Sequence, residues 1–262
     1  VSTVLDGILA TTREDVDRRR VDQPLTPRHS RRPAGLFRDA LAAPGLSIIA
    51  EHKRRSPSAG PIGHGVEVAE IARAYEQGGA AAISVLTEEH NFAGSLDDLR
   101  AARAAVGIPI LRKDFVVDSY QLLEAVDAGA DAVLLIVAAL GRSRLAELHA
   151  EAVGFGLGVL VEVHDADELD VALTVTPEVI GVNNRDLRDF SVDLERTLTL
   201  APRVPDGVLV ISESGLDSPE SLQRLRDAGI DGALIGEALM RSADPEAALR
   251  QLLPSTHVGR NS

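Results

Sequence analysis

From residue 47 onward the chain alternates between two hydrophobic patterns. Short apolar runs recur at 47–50, 81–86, 108–111, 132–137, 159–163, 179–182, 208–211 and 233–235. Between them, apolar residues return at helical spacing over 66–76, 95–105, 119–128, 144–153, 167–174, 193–201 and 218–228, and again over 245–253. The runs predict strands and the spaced segments predict amphipathic helices. The punctuation agrees. Gly78-Gly79, Gly129 and Gly229 stand where a helix ends on a left-handed glycine. Ser95, Ser119, Asp167 and Ser218 are residue types that cap helix starts. Eight strand–helix units at near-regular spacing predict an α/β fold closed as a (β/α)8 barrel, a TIM barrel. A doubly wound open sheet is the alternative. It normally has fewer strands and opens on a glycine-rich turn, and the first loop, 54–60, carries no G-x-G-x-x-G.

Residues 1–46 break the pattern. Val4, Leu5, Ile8 and Leu9 have helical spacing, 13–32 is crowded with Arg, Asp and Pro, and Leu36, Phe37, Ala40 and Leu41 form a second amphipathic pair of turns before Pro44-Gly45. The segment is too short to hold a core of its own. It predicts an N-terminal helical extension, 1–46, on a single domain, 47–262.

The ends of the strands carry the chemistry. Glu51 and Lys53 close the first strand and share one face of it, because side chains alternate. Lys113 closes the third, Glu162 the fifth, Asn183 the sixth, Glu213-Ser214-Gly215 the seventh and Gly236 the eighth. In a barrel these ends converge on one mouth, where barrel chemistry resides. Charges there are costly unless paired or used. Composition sharpens the point: of 27 basic residues only Lys53 and Lys113 are lysines. A chain that uses arginine for charge keeps lysine where a compact, proton-exchanging ammonium is needed. Glu162 is the acid–base candidate beside them, with a structural ion pair to Lys113 as the alternative.

Other positions suggest how a ligand is held. Ser214-Gly215 and Ile235-Gly236 precede helices after the last two strands, the usual phosphate-binding place in barrels. Glu237 beside Gly236 would repel a phosphate unless it faces away. Asn183 offers an amide and Arg185 a fork for a carboxylate. Phe92 and Phe115 both follow strands and could flank an aromatic ligand. His52 alternates away from Glu51 and Lys53 toward the helical layer. His90 and His164 lie near the mouth at spacings that suggest no metal motif.

Bulk properties narrow the class. A formal charge of −13 argues against a nucleic-acid partner, and the absence of Cys removes disulfides, thiolate metal sites and Cys nucleophiles. With no signal-peptide core and no apolar run long enough to span a bilayer, a cytoplasmic protein is expected. No metal and no cofactor are expected.

Together these motifs resemble the indole-3-glycerol phosphate synthase family over about residues 5–252. The resemblance rests on Glu51-x-Lys53 with Ser56-Pro57-Ser58 and Gly60; on Ser84-Val85-Leu86-Thr87 with Phe92-x-Gly94-Ser95; and on Leu111-Arg112-Lys113-Asp114-Phe115. It continues through Val161-Glu162-Val163-His164, Asn183-Asn184-Arg185-Asp186-Leu187, Ser212-Glu213-Ser214-Gly215 and Ile235-Gly236-Glu237. It implies ring closure of 1-(2-carboxyphenylamino)-1-deoxyribulose 5-phosphate to an indole, with loss of CO2 and water. It further implies catalytic roles for Glu51, Lys53, Lys113, Glu162, Asn183 and Glu213. Substrate contacts are implied at Ser56, Pro57, Phe92, Phe115, Arg185, Leu187 and Ser214, with phosphate at Gly215, Gly236 and Glu237. A monomer whose N-terminal helices lid the mouth is expected. A class I aldolase-like barrel, with Lys113 as Schiff-base nucleophile, is the enzymatic rival. Phosphoribosylanthranilate isomerase, a related barrel, lacks its Cys base here, and a non-catalytic phosphate-binding barrel would have no use for both lysines.

Overall fold

A computed structural model describes residues 3–27, 29–30, 32–56, 60–62, 65–186, 191–216 and 218–253. The eight expected strands form at β1 Ser47–His52, β2 Ala82–Leu86, β3 Ile110–Lys113, β4 Ala132–Ile136, β5 Gly158–Val163, β6 Val179–Asn183, β7 Leu209–Glu213 and β8 Gly232–Ile235. Each pairs in parallel with its neighbour in sequence, and β1 pairs with both β2 and β8, which closes the barrel. Ile49 faces Ala82 on one side and Leu234 on the other. Alternation sorts the core into two shells. Ile49, Leu111, Leu160, Ile211 and Leu234 fill the barrel interior, while Ile48, Ile83, Ile110, Val161 and Ile180 pack under the helices. Both faces of every strand are thus covered, as a parallel sheet requires.

The helices are α1 Val4–Asp22, α2 Leu36–Leu41, α3 Val68–Gly78, α4 Leu96–Ala105, α5 Ser119–Ala128, α6 Val137–Gly154, α7 Ala166–Leu173, α8 Glu195–Leu200, α9 Pro219–Asp227, α10 Glu237–Met240 and α11 Pro245–Leu252. Gly79 and Gly129 end α3 and α5 in the left-handed conformation. Two starts differ from expectation. Asp118, not Ser119, caps α5, and Asp165, not Asp167, caps α7, because each aspartate lies outside the first turn and can reach back-facing amides. Helix α6 begins well before residue 144, its first turn set off by a break at Gly141, φ 65°. That break scrambles the spacing an unbroken helix would show. Helix α10 has only four residues, too few to register as a periodicity.

The N-terminal extension divides between the two ends of the barrel. The Arg- and Asp-rich stretch continues α1 to Asp22, which lies beside the mouth: Asp15 meets His90 at 2.7 Å, and the Tyr120 hydroxyl donates to the carbonyls of Arg19 and Gln23. The chain then descends, with the Ser30 amide donating to the Phe155 carbonyl and Arg32 pairing with Asp131. Helix α2 closes the far end. Phe37 and Leu41 are buried among the interior residues, and the Ser47 hydroxyl at the start of β1 donates to the Leu41 carbonyl at 3.0 Å. Phe37 also sits 3.3 Å from where a side chain on Gly158, the first residue of β5, would begin. The expectation that both N-terminal helices lid the mouth is corrected for α2. Its apolar face has an opening to fill only at the end away from the charged residues.

Strand β1 has one costly position. His52 faces the helical layer as expected, is 3% exposed, and its Nδ1 has no hydrogen-bond partner among the described residues. Burial pushes its pKa down to about 4. The unfolded chain therefore binds a proton near pH 6.5 that the folded protein refuses until about pH 4, so stability is lost as pH falls through that window. His52→Val should flatten this acid limb, which costs the wild type up to about 3 kcal/mol. Urea titrations of both proteins at pH 7 and pH 4.5 check it, and parallel losses in the two would refute it. At the opposite end, Phe37→Ala should cost about 3–5 kcal/mol by opening a cavity while leaving KM unchanged. A raised KM would place α2 in contact with the site.

Candidate active site

The strand ends surround a cavity of about 760 Å³ at the C-terminal mouth. Glu51, Lys53, Lys113, Glu162, Asn183 and Glu213 all line it, as do Ser56, Phe92, Phe115, Arg185, Ser214, Gly215, Gly236 and Glu237. Pro57 and Leu187 lie outside the described residues. The register explains the convergence. Lys113 pairs with Leu86, Glu162 with Ile136 and Glu213 with Asn183, each the last residue of the preceding strand, so all three side chains leave the sheet at its C-terminal edge.

Two ion clusters occupy the floor. Lys53 donates to Glu51 Oε1 at 2.8 Å. Lys113 Nζ lies 3.4 Å from Glu213 Oε2 and 3.6 Å from Glu162 Oε2. Burial alone would lower the Lys113 pKa, but the charges of Glu213, Glu162 and Glu51 outweigh it and hold the ammonium above its usual range. Burial opposes ionisation of Glu51 as well, yet Lys53 and Lys113 keep its pKa below the ordinary value. Glu213 is the reverse case. Burial raises it most, Glu162 and Glu51 add repulsion, and Lys113 offsets only part, so its pKa rises. Neither of its oxygens has an aligned hydrogen bond among the described residues. One carboxylate is thus held firmly ionised while another is pushed toward taking up a proton, a division suited to acid–base work.

Two glycines make room for these carboxylates. A Cβ on Gly236 would lie 2.6 Å from Glu51 Oε1, and one on Gly181 would overlap Glu213 Oε1. In the sequence Gly181 is one more residue of an apolar run. In the sequence Gly236 marks a phosphate contact, and in the fold its missing side chain also seats Glu51. Ser214 and Gly215 turn in the left-handed region, φ 69° and 72°, a conformation that a serine holds only under constraint. Val192 occupies the space beside Gly215, brought back by an antiparallel bridge to Arg185. Glu237 pairs with Arg241 at 2.8 Å, one turn along α10. Val192 and Arg241 line the cavity yet carry no signal in sequence, since only the loop paths bring them there. Phe92 and Phe115 are in contact, centroids 6.4 Å apart at 39°, so they form one wall rather than two jaws around a ring. His90 pairs with α1, and His164 lies behind the wall against Glu162.

Fold and mouth define a (β/α)8 barrel enzyme with a lysine–glutamate centre. Among solved structures, the N-acetylmannosamine-6-phosphate 2-epimerase of Clostridium perfringens superposes with a TM-score of 0.61 at 18% identity, covering 82% of this chain and 94% of its own, which supports the fold alone. Sequence comparison is more specific. The profile described as "Indole-3-glycerol phosphate synthase" matches residues 5–252. The protein named indole-3-glycerol phosphate synthase 2 of Streptomyces coelicolor is 49% identical over 97% of this chain and 100% of its own length. The indole-3-glycerol phosphate synthase of Laribacter hongkongensis is 47% identical over 96% and 99%. The chain belongs to the indole-3-glycerol phosphate synthase family, enzymes of tryptophan biosynthesis that act as decarboxylating lyases. No helix among the described residues is long and apolar enough to cross a membrane.

The glycine geometry yields a test of how the carboxylates are seated. Gly181→Ala should displace Glu213 and lower kcat on the order of 10²-fold, the scale of a misplaced catalytic group, with an unchanged circular dichroism spectrum. Wild-type kcat in this variant would mean that Glu213 does not need its present position.

Proposed function

We propose that this enzyme closes the indole ring of 1-(2-carboxyphenylamino)-1-deoxyribulose 5-phosphate, releasing CO2 and water. The observation that carries the residue-level reading is Lys113, buried between Glu162 and Glu213, in a family member whose mouth also holds the Glu51–Lys53 pair. Ring closure needs a proton on the ketone oxygen as carbon attacks it, which is Lys113's role. Lys53, oriented by Glu51, holds the substrate's anionic groups. After CO2 leaves, the ring hydroxyl departs as water with a second acid proton, while Glu162 removes a ring proton. Glu213 keeps Lys113 charged and in place. Asn183 and Arg185 orient the substrate, Ser56 and Ser214 contact it, and Phe92 and Phe115 supply an apolar wall for its aromatic ring. Pro57 and Leu187 complete the assigned contacts by their place in the family motifs. The phosphate lies by Gly215 and Gly236, where backbone can approach. Glu237, held by Arg241, is assigned to the phosphate end only as part of its rim. Residues 47–262 form the catalytic unit and 1–46 its extension, with α1 beside the mouth, and the enzyme works as a cytoplasmic monomer.

The electrostatics favour a charged ammonium over the neutral amine of a Schiff-base lysine. Imine formation needs a neutral amine, which enzymes obtain in apolar or cationic surroundings. Lys113 has carboxylates on both sides and a raised pKa.

Lys113→Arg should preserve charge and fold yet lose on the order of 10²-fold or more in turnover, since a wide planar guanidinium cannot take the place of a compact ammonium between Glu162 and Glu213. Lys53→Arg should be milder. An aldolase-type lysine would fail as arginine too, so borohydride decides. Added during turnover it should leave the protein mass unchanged, and a substrate-sized gain on Lys113 would overturn the assignment.

A further inference from the structure

One half-buried side chain behind the cavity wall is aimed at the lysine–glutamate centre. His164 directly follows β5, and its side chain is 10% exposed. Its Nδ1 lies 3.0 Å from Glu168 Oε2, the same oxygen that accepts the His164 backbone N–H at 2.8 Å. With Nδ1 turned to that carboxylate, Nε2 points the other way, 3.4 Å from Glu162 Oε1 and without a hydrogen-bond partner among the described residues. The far oxygen of Glu162 is the one that faces Lys113 at 3.6 Å. Glu168 stands in the first turn of α7 with its side chain 20% exposed, in reach of water. Four ionisable groups therefore run in file from solvent to the buried ammonium.

The proposed reaction needs such a path. The substrate's carboxylate leaves as neutral CO2, so each turnover takes up one proton. Two acid protons are spent, one on the ketone oxygen and one on the departing hydroxyl, and the ring returns only one to Glu162. That proton can pass from Glu162 to Lys113. The second must come from water, and a path behind the cavity wall can deliver it while the ligand fills the mouth.

Resting on the assignment of Glu162 and Lys113 made above, we propose that His164 is a positioning residue that carries this proton from Glu168 to Glu162. Water protonates Glu168. The imidazolium passes its Nε2–H proton to Glu162, which hands one to Lys113, and a turn of the neutral ring brings its bare nitrogen to the protonated Glu168 carboxyl, which restores the imidazolium. The groups facing the imidazole are Glu168 on α7, Glu162 on its own strand and Glu213 on β7. Burial disfavours its charge, but these three carboxylates outweigh burial and favour the imidazolium through which the transfer passes.

His164→Gln should lower kcat on the order of 10-fold at unchanged KM, less than the loss of a direct acid–base group. Small acidic buffers such as imidazole should restore it in proportion to their concentration. Glu168→Gln should behave alike, and the double variant should be no slower than either single one, because members of one path do not add. If His164→Gln fails to fold, Glu168→Gln carries the same measurements from the rim. A buffer-insensitive kcat, a KM-only effect, or additive losses would refute the relay. Nitrogen NMR of the resting protein gives a readout independent of turnover: the His164 pKa should fall in both Glu162→Gln and Glu168→Gln, and no fall in either refutes the contact. A wild-type protein that makes no indole-3-glycerol phosphate while this NMR coupling holds would instead overturn the function, and with it the need for the relay.

Discussion

The structure depends on keeping an ammonium charged inside a barrel. Lys113 projects from the end of β3 into a space where an unpaired charge would be prohibitive, and Glu162 and Glu213 on two other strands make it tolerable. This requirement reaches outward through the packing. Glu213 fits only because residue 181 has no side chain, and Glu51 only because residue 236 has none. Three carboxylates against two ammoniums would leave the floor anionic and hostile to a substrate that is itself anionic. The raised pKa of Glu213 records that crowding: among carboxylates packed this closely, it is pushed toward taking up a proton.

Stability and chemistry are separated along the barrel axis. At one end α2 inserts Phe37 and Leu41 and completes the apolar interior. At the other the interior gives way to charge. Helix α1 belongs to neither layer but is tied to the strand that bears the lysine. Arg19 pairs with Glu124 on α5, Glu124 accepts from Arg112 on β3, and Arg112 also binds Asp114, which accepts the Thr87 hydroxyl. A disturbance of α1 thus has a continuous polar route to the backbone beside Lys113.

The parts of this design that were legible in sequence follow from periodicity and from chemical rarity. Eight apolar runs separated by helical spacing leave little choice but a barrel, and a charged residue ending an apolar run announces a mouth. The two lysines stood out because everything else basic is arginine. What stayed hidden depends on path and on space. Val192 and Arg241 reach the cavity by loop and short-helix geometry that has no period. Gly181 looks like any small strand residue until the neighbouring carboxylate is seen above it. The destination of α2 is not legible in sequence, because an amphipathic turn states only that one face must be covered, not which end of the barrel supplies the cover.

Strand β3 carries its own comparison of the two cations. Arg112 and Lys113 are adjacent, and alternation sends them to opposite sides. Arg112 is 1% exposed and all three of its nitrogens are engaged: Nε to Thr87 at 3.1 Å, Nη1 to the Gln121 carbonyl at 2.6 Å, Nη2 to Asp114 at 2.8 Å and Glu124 at 3.1 Å. Planar, multidentate and always charged, it suits a fixed joint between strand and helix. Lys113 keeps ion-pair distances of 3.4 and 3.6 Å to its carboxylates, longer than a tight hydrogen bond. A tetrahedral head on a flexible stem, held by field rather than by fork, can turn toward a substrate oxygen without breaking a bond network. The joint is made of arginine so that the neighbouring lysine can move.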